Sequence, residues 1–346
     1  MNSPLSFCER VGIEYPLICG AMFPCSNPEL VAAVSAAGGI GVVQPVSLTY
    51  VHGYEYRAGL RYIKSLTDKP IGFNALIEQS SRTYHERMVR WLDIALEEGV
   101  RFVVTSLGKP RWVVDRVHAV GGVVYHDVTD ARWGAKAAES GVDGLIAVNR
   151  RAGGHAGALS PEELLATLKP IGLPIVAAGG VGTSREFVDV MRLGYAGVQL
   201  GTRFIATPEC KTAEAYKQAI VNAEESDIVL TERLSGVPVA VINTEHVKRT
   251  GTRAGPMARW MLRGRKTKHW MRTIYALRSG IKLKSGLLKE REQEFWQAGK
   301  SVAGITGIRP AGEIVQEFGE AWRAITISTA RTAPAAGSPG APASDS

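Results

Sequence analysis

Two short apolar segments that end in glycines constrain the fold of this chain most. The first, residues 175–182, leads into a helix-like segment that begins at Thr183, and the second is residues 198–204. Glycine lets the backbone approach a ligand closely, and the N–H groups of the following turn can hold a phosphate. Two such strand ends late in a β/α pattern are typical of the phosphate site after strands seven and eight of a (β/α)8 barrel. The alternative is that these glycines only form tight turns, for which one glycine per turn would suffice. We therefore predict a phosphate-bearing ligand.

The same alternation of short apolar runs with helix-length segments can be followed along the chain. Eight runs predict strands, at residues 16–20, 40–43, 71–74, 101–104, 123–126, 144–148, 174–177 and 197–200. Eight such units favour a closed parallel barrel, although an open doubly wound sheet has the same periodicity. No GxGxxG motif opens a helix after the first strand, which weighs against a dinucleotide-binding fold. We therefore predict an α/β fold, a (β/α)8 TIM barrel.

A histidine with glycines on both sides follows the sixth predicted strand. Residues 150–157 read RRAGGHAG, and Gly153 and Gly154 precede His155. Active sites of such barrels are built from the loops at the carboxyl ends of the strands. Histidine accepts or donates a proton near neutral pH, and the glycines allow close approach of a flat ligand. The alternative is a histidine that only holds its loop by hydrogen bonds. We predict that His155 is catalytic and that Gly153 and Gly154 belong to the ligand site.

Composition limits the class of protein. The chain has 346 residues, of which 45% are hydrophobic, and a barrel domain takes about 250 residues. The four cysteines show no CxxC or Cys/His spacing, which is typical of a reduced compartment, and we predict no metal site. The first residues do not resemble a secretory signal, and no apolar stretch is long enough to span a membrane. We expect a cytoplasmic protein.

Several of these segments together resemble one enzyme family. Residues from about 11 to 210 are similar to the nitronate monooxygenases, formerly called 2-nitropropane dioxygenases, and to their relatives, the FMN-dependent enoyl-acyl-carrier-protein reductases of the second type. The matching segments are YPLICGAM at 15–22, AAGGIG at 36–41, GFN at 72–74, AGGHAG at 152–157, AAGG at 177–180 and GTRF at 201–204. The Gly-Gly-His-x-Gly segment, in order with the last two, is the most specific. The resemblance implies a TIM barrel that binds FMN without covalent attachment.

The resemblance also assigns roles to residues at the strand ends. His155 lies beside the substrate. Small and polar residues bind the cofactor: Ala21, Met22 and Asn74 near the isoalloxazine ring, and Gly179, Gly180, Gly201 and Thr202 at its phosphate. The chain departs from the family at Arg151, where an acidic residue is common, and at Asp127, where some relatives have a lysine. Arg150 and Arg151 make the mouth of the site cationic, and we predict that both bind an anionic substrate.

The predicted reaction is the oxidation of an alkyl nitronate by dioxygen to a carbonyl compound and nitrite, with FMN as cofactor. The alternative is an NAD(P)H-dependent reduction of an enoyl thioester, carried on CoA or acyl carrier protein, or of a quinone, with His155 as the proton donor. A third hypothesis is a barrel that has lost catalysis and binds a membrane or nucleic acid. The intact glycines and His155 weigh against it, and we predict no nucleic-acid partner.

The basic residues of the chain are concentrated beyond the barrel. Residues 248–291 hold fourteen lysines and arginines and one acid, Glu290. Apolar residues between 257 and 281 recur at three- or four-residue steps, which indicates amphipathic helices. Such a segment can be a lid over the barrel, a peripheral membrane contact, or a solvated hairpin. We expect an FMN-binding barrel at 1–225, a basic helical insertion at 226–292, a return segment and helix at 293–327, and a disordered tail at 328–346.

Overall fold

Eight parallel strands close into a barrel in the computed structural model, which describes residues 5–77, 81–234, 236–253 and 295–332. The strands are β1 (Leu17–Cys19), β2 (Ile40–Val43), β3 (Gly72–Leu76), β4 (Phe102–Ser106), β5 (Val123–Val128), β6 (Gly144–Val148), β7 (Ile175–Ala178) and β8 (Gly197–Leu200). The first strand pairs with both of its neighbours, because Ile18 is in register with Ile40 on β2 and with Gln199 on β8. This closure excludes the open sheet and confirms the predicted (β/α)8 TIM barrel.

Helices connect the strands and surround the barrel. They are α1 (Phe7–Val11), α2 (Pro28–Ala36), α3 (Tyr56–Leu66), α4 (Arg82–Glu97), α5 (Arg111–His118), α6 (Ala131–Glu139), α7 (Pro161–Leu168), α8 (Ser184–Arg192), α9 (Thr202–Ile205), α10 (Glu214–Asn222), α11 (Glu245–Thr250) and α12 (Ala311–Thr332). A π-helical turn at Ser47–Val51 and 3-10 turns at Lys169–Ile171, Glu225–Asp227 and Lys300–Gly304 complete the described helical segments.

Aromatic side chains fill the amino-terminal half of the barrel. Phe7, from α1, meets Tyr125 and Phe102 edge-on, with ring centroids 5.3 Å and 6.1 Å away. Gly144 makes room for Tyr125, since a Cβ there would lie 2.2 Å from the tyrosine ring. These contacts close one end of the barrel with apolar side chains. Polar residues facing inward are therefore left at the carboxyl ends of the strands, where (β/α)8 barrels carry their active sites.

The segment that follows the barrel begins with strands instead of the helices that we expected. β9 (Ile228–Thr231) and β10 (Val239–Ile242) form an antiparallel pair, in register from Ile228 opposite Ile242 to Thr231 opposite Val239. Both strands are rich in β-branched residues, which favour extended backbone. The amphipathic pattern that predicted helices lies within 254–294, outside the described residues, so the expected basic helical insertion stays a prediction.

The last described helix is longer than predicted. α12 reaches Thr332, past residue 328, where we expected the tail to begin, and residues 333–346 lie outside the described ranges. Its buried Phe318 packs on Phe187 of α8, with ring centroids 5.4 Å apart. Within the described part of the chain, no helix combines the length and the apolarity needed to cross a membrane.

Candidate active site

The loop that carries His155 is tied to the neighbouring strand by Asn149, a residue that the sequence analysis missed. The Asn149 side chain is buried; its Nδ2 donates to the Gly179 carbonyl at 3.0 Å, and its Oδ1 accepts from the Arg151 N–H at 2.8 Å. Its main-chain N–H donates to the Ala178 carbonyl at 3.0 Å. One amide side chain thus fixes the start of the loop after β6 to the end of β7.

A second layer of backbone covers this loop. The Ala240 N–H of β10 donates to the Gly154 carbonyl at 2.7 Å. A Cβ on Gly153 would lie 2.9 Å from the Gly299 nitrogen, and a Cβ on Gly299 would lie 2.6 Å from the Gly153 nitrogen. Gly153 therefore has a structural reason to be glycine, and so does Gly154, whose φ of +68° is one that L side chains rarely adopt. The predicted contact of both with the cofactor stays a prediction. His155 itself is exposed on the loop.

The two arginines predicted to bind substrate lie in different surroundings. Arg151 forms a bidentate ion pair with Glu225, in which both nitrogen–oxygen distances are 3.0 Å. Lys300 Nζ lies 3.2 Å from the same carboxylate. Partial burial by itself would raise the pKa of Glu225, but the hydrogen bond from Lys300 and the charge of Arg151 hold that pKa below its ordinary value. Arg150 is exposed, and its main-chain N–H donates to the Leu159 carbonyl at 2.8 Å. Substrate binding by both arginines stays a prediction, and Arg151 has a protein partner for its charge.

The ion pair of Arg151 suggests a stability test. Glu225→Gln removes the charge that Arg151 and Lys300 share while keeping the side chain's shape. The side chains of Glu225 and Arg151 are 39% and 29% exposed, so solvent screens the pair, and we expect a loss of about 0.5–1 kcal/mol in the free energy of unfolding. Denaturant titration of both proteins, repeated at high salt, measures it. If the wild type is more stable than Glu225→Gln by the same free energy of unfolding at high salt, the contact is not electrostatic.

The glycine turn after β7 is shaped by the protein itself. Gly179 and Gly180 have φ angles of +114° and +84°, which side chains on L-residues rarely adopt. A Cβ on Gly180 would lie 2.5 Å from Arg151 Nε. The N–H groups of Gly182 and Thr183, at the start of α8, donate to the Glu186 carboxylate at 2.8 Å and 3.1 Å. These two donors, in the turn that leads into α8, thus have a protein acceptor.

The glycine turn after β8 leaves more space. Gly201 has a φ of −117°, which any residue can adopt. Of the described residues, a Cβ there would meet only the Met22 side chain, whose Sδ would be 3.4 Å away. The next residue, Thr202, is buried, and its Oγ1 accepts from the Gly299 N–H at 3.0 Å. The structure thus brings Met22 beside Gly201, and Thr202 beside the segment that covers the His155 loop.

Polar side chains that face the barrel interior form the floor of the mouth. Asn74 on β3 is buried, and its Nδ2 donates to the Val104 carbonyl oxygen at 3.5 Å. Asp127 on β5 and Gln199 on β8 each hold one oxygen, Oδ1 and Oε1 respectively, that is shielded from solvent and has no hydrogen-bond partner within the described ranges. Buried acceptors are ordinarily satisfied, so these two oxygens fit a ligand that brings N–H or O–H donors into the mouth. Ala21 packs against the apolar cluster of the barrel interior, which includes Ile18 and Val104.

A family model provides the family assignment. The model of the nitronate monooxygenase family matches residues 6–320. The chain belongs to the nitronate monooxygenase family. The predicted family is confirmed, and with it the assignment to flavin-dependent oxidoreductases.

The proteins to which this chain is similar are named either as carboxyl-CoA dehydrogenases or as nitronate monooxygenases. A Mycobacterium tuberculosis octahydroindene-carboxyl-CoA dehydrogenase is 28% identical over 340 residues, 90% of this chain and 93% of that protein. Its Rhodococcus jostii namesake is 30% identical over 240 residues, which are 69% of this chain and only 65% of that relative's length. A Pseudomonas aeruginosa nitronate monooxygenase is 30% identical over 273 residues, 66% of this chain and 77% of that one.

A solved structure supports the fold. FabK from Thermotoga maritima superposes with a TM-score of 0.75, covering 95% of this chain and 99% of its own at 24% identity. At this identity the likeness shows the barrel fold alone.

Proposed function

We propose that this protein is an FMN-dependent oxidoreductase that oxidises alkyl nitronates. The observation that carries the proposal is the pair of unsatisfied buried acceptors, on Asp127 and Gln199, in the mouth of a barrel of this family. The isoalloxazine ring is planar and has polar groups along one edge, and it matches a floor of inward-facing amide and carboxyl groups. Bound there, FMN would supply the redox chemistry by which two nitronates and one dioxygen become two carbonyl compounds and two nitrites.

The protein's own residues would position the ligands and handle a proton. The open space beside Gly201 would take the phosphate, with Gly179, Gly180 and Thr202 around it. Ala21, Met22 and Asn74 would line the ring. His155, exposed on a loop anchored by Asn149, would hold the anionic nitronate when protonated or remove a proton from a neutral nitroalkane. Arg150 would add charge attraction from the loop, and Arg151 less, since Glu225 shares its charge.

A second candidate is an oxidoreductase of an acyl thioester. It is favoured by the M. tuberculosis relative, whose name specifies a carboxyl-CoA substrate and whose alignment covers 90% of this chain, against 66% for the P. aeruginosa nitronate monooxygenase. In this reaction His155 would transfer a proton to or from the carbon chain of the thioester, with NAD(P)H or an oxidised nicotinamide as the second substrate.

Anaerobic rapid mixing separates the two candidates. The purified flavoprotein is mixed with an alkyl nitronate, with NADH, with NADPH or with an acyl-CoA, and the visible absorbance of the flavin is followed. Reduction by the nitronate, and reoxidation by dioxygen with release of nitrite, would support the first function. Reduction by a nicotinamide or an acyl-CoA, with none by the nitronate, would replace it with the second.

The phosphate position has its own test at Gly201. Gly201→Ala adds one methyl group where the protein leaves room, so we expect the apoprotein to keep its melting temperature within about 2 °C. The methyl group would occupy the space of the phosphate, and we expect FMN to bind at least about tenfold more weakly.

Gly307→Ala is the matched control, because a Cβ there meets no described atom within 4 Å and the residue lies outside the proposed site. FMN dissociation constants, measured by flavin fluorescence, compare the three proteins. Equal affinities in all three would place the phosphate elsewhere.

A further inference from the structure

Asp127 lies inside the barrel at the carboxyl end of β5. Successive side chains of a strand point to opposite faces. Tyr125 packs in the barrel interior with Phe7, whereas the next residue, His126, contacts Thr105 Oγ1 at 2.8 Å on the buried outer face. Asp127 therefore shares the inward face of Tyr125, one residue before the strand ends at Val128. This position is the floor of the mouth.

Among the described residues, none carries a charge that pairs with Asp127. In register beside it on β6 is Ile146, which packs in the apolar interior, and the next inward residue of β6 is Val148. Ser106 is the inward residue at the end of β4. Tyr125, two residues before Asp127 on the same face of β5, has a titratable phenol. Burial raises the pKa of that phenol well above its ordinary value, so it is neutral.

The other inward polar groups at this level, on Asn74 and Gln199, are amides. On the outer face of β5, burial lowers the pKa of His126 to about 4, so that side chain is also neutral near pH 7. Burial raises the pKa of Asp127 itself to about 7, and no cation among the described residues lowers it again. In contrast to a salt-bridged carboxylate, Asp127 is therefore poised to be a neutral acid within the physiological range.

A neutral carboxyl has one O–H donor and an acceptor oxygen, whereas a carboxylate only accepts. Because Asp127 Oδ1 has no partner in the described parts of the chain, a bound molecule must satisfy it or the burial stays uncompensated. The polar edge of the isoalloxazine ring carries carbonyl oxygens and ring nitrogens that accept, and one N–H that donates. A neutral acid is complementary to both kinds of group on that edge.

We propose that the Asp127 carboxyl, in its neutral form, hydrogen-bonds the polar edge of the isoalloxazine ring and makes FMN binding depend on pH. This inference rests on the proposed FMN site. Ionisation of Asp127 removes its donor and leaves a buried carboxylate facing carbonyl oxygens. Affinity for FMN is therefore highest below the pKa of Asp127 and falls as pH rises through it.

The test compares the apoprotein with Asp127→Asn and Asp127→Ala. The asparagine amide keeps one donor and one acceptor at every pH, and alanine keeps neither. Between about pH 6 and about pH 9 we expect the FMN dissociation constant of the wild type to rise about two- to tenfold more than that of Asp127→Asn. Asp127→Ala binds more weakly at both pH values. The FMN phosphate, whose second pKa is about 6, titrates in all three proteins and cancels in their ratios.

Two further readouts do not depend on turnover. The visible spectrum of the wild-type holoprotein should shift as Asp127 ionises, at or above about pH 7, and that of Asp127→Asn should not. In the wild-type apoprotein, a pKa raised on folding means that stability falls as pH rises from about 4 to about 7. Asp127→Asn should lose this slope and melt at a higher temperature at pH 7.

The possible failures are distinct. If the wild type and Asp127→Asn share one pH profile for FMN affinity, Asp127 does not contact the ring in its neutral form. If Asp127→Ala binds FMN as tightly as the wild type and only the KM for substrate rises, the carboxyl contacts substrate instead. If none of the three proteins binds FMN, the proposed function fails as well.

Discussion

The variant His155→Ala should retain FMN and lose turnover on neutral nitroalkanes by about 10² to 10⁴, the usual cost of removing a general base. His155 is exposed on a loop whose anchors are the side chain of Asn149 and the strand β10, so truncation of the histidine leaves those anchors in place. A pre-formed nitronate has already lost its proton, so turnover on it should fall less in this variant. Steady-state rates on the two forms of one nitroalkane, with flavin content measured in parallel, give the comparison.

His118→Ala is the matched control for losing an exposed histidine. His118 contacts Asp143 at 2.9 Å, and these residues lie at the end of α5 and before β6, at the amino-terminal end of the barrel. We expect this variant to keep full turnover. Equal losses on both substrate forms in His155→Ala would assign the histidine to positioning the substrate. Unchanged turnover in that variant would remove it from the mechanism.

The barrel could be predicted because its signals are local. Residues 40–43, 144–148 and 197–200 were predicted as strands and are β2, β6 and β8 with the same bounds. Each is a short, mostly apolar run that is followed by glycine or a polar residue, and burial on both faces leaves little choice of residue type. The hairpin β9–β10 was missed, since the basic and amphipathic pattern further along the chain dominated the interpretation of that segment.

The sequence could predict the loops of the candidate site but not the contacts within them. The glycines at the ends of the predicted strands lie in the loops after β6, β7 and β8, and their role in ligand binding stays a prediction. They could not show which glycines face a ligand and which face other backbone, because that depends on a segment 146 residues later, where Gly299 packs on Gly153. The ion pair of Arg151 with Glu225 spans 74 residues and is likewise invisible to local patterns. The sequence singled out Asp127 only as a departure from relatives. That its Oδ1 is buried without a partner among the described residues became visible only in the closed barrel.

These long-range contacts make the His155 loop part of the barrel's packing. Asn149 joins it to β7, β10 joins it to the hairpin, and Gly299 joins it to the segment that enters α12. Such a loop is held by the fold before any ligand arrives, which keeps the reorganisation needed at the mouth small. It follows that a change in the packing beneath the loop should affect stability and flavin binding together.

Gly179→Ala should show this coupling. A Cβ there would lie 2.5 Å from the Ala152 nitrogen and 2.7 Å from Asn149 Oδ1, both in the His155 loop, and the φ of +114° is itself unfavourable for alanine. Backbone strain of about 1–2 kcal/mol and overpacking of about 1–3 kcal/mol together predict a loss of about 2–5 kcal/mol in the free energy of unfolding. At about 2–4 °C per kcal/mol, the melting temperature should fall by roughly 4–20 °C. We also expect weaker FMN binding, since the displaced loop borders the proposed site.

Gly194→Ala separates the two contributions. Gly194 has a similar φ of +105°, but a Cβ there meets no atom of the described residues within 4 Å. This variant therefore carries the backbone strain without the crowding. We expect it to lose only about 1–2 kcal/mol and to keep its affinity for FMN. The difference between the two variants, measured by denaturant titration of the apoproteins, isolates the packing of β7 against the His155 loop. If Gly179→Ala costs no more than Gly194→Ala, that packing is loose, and the loop is free to reorganise when a ligand binds.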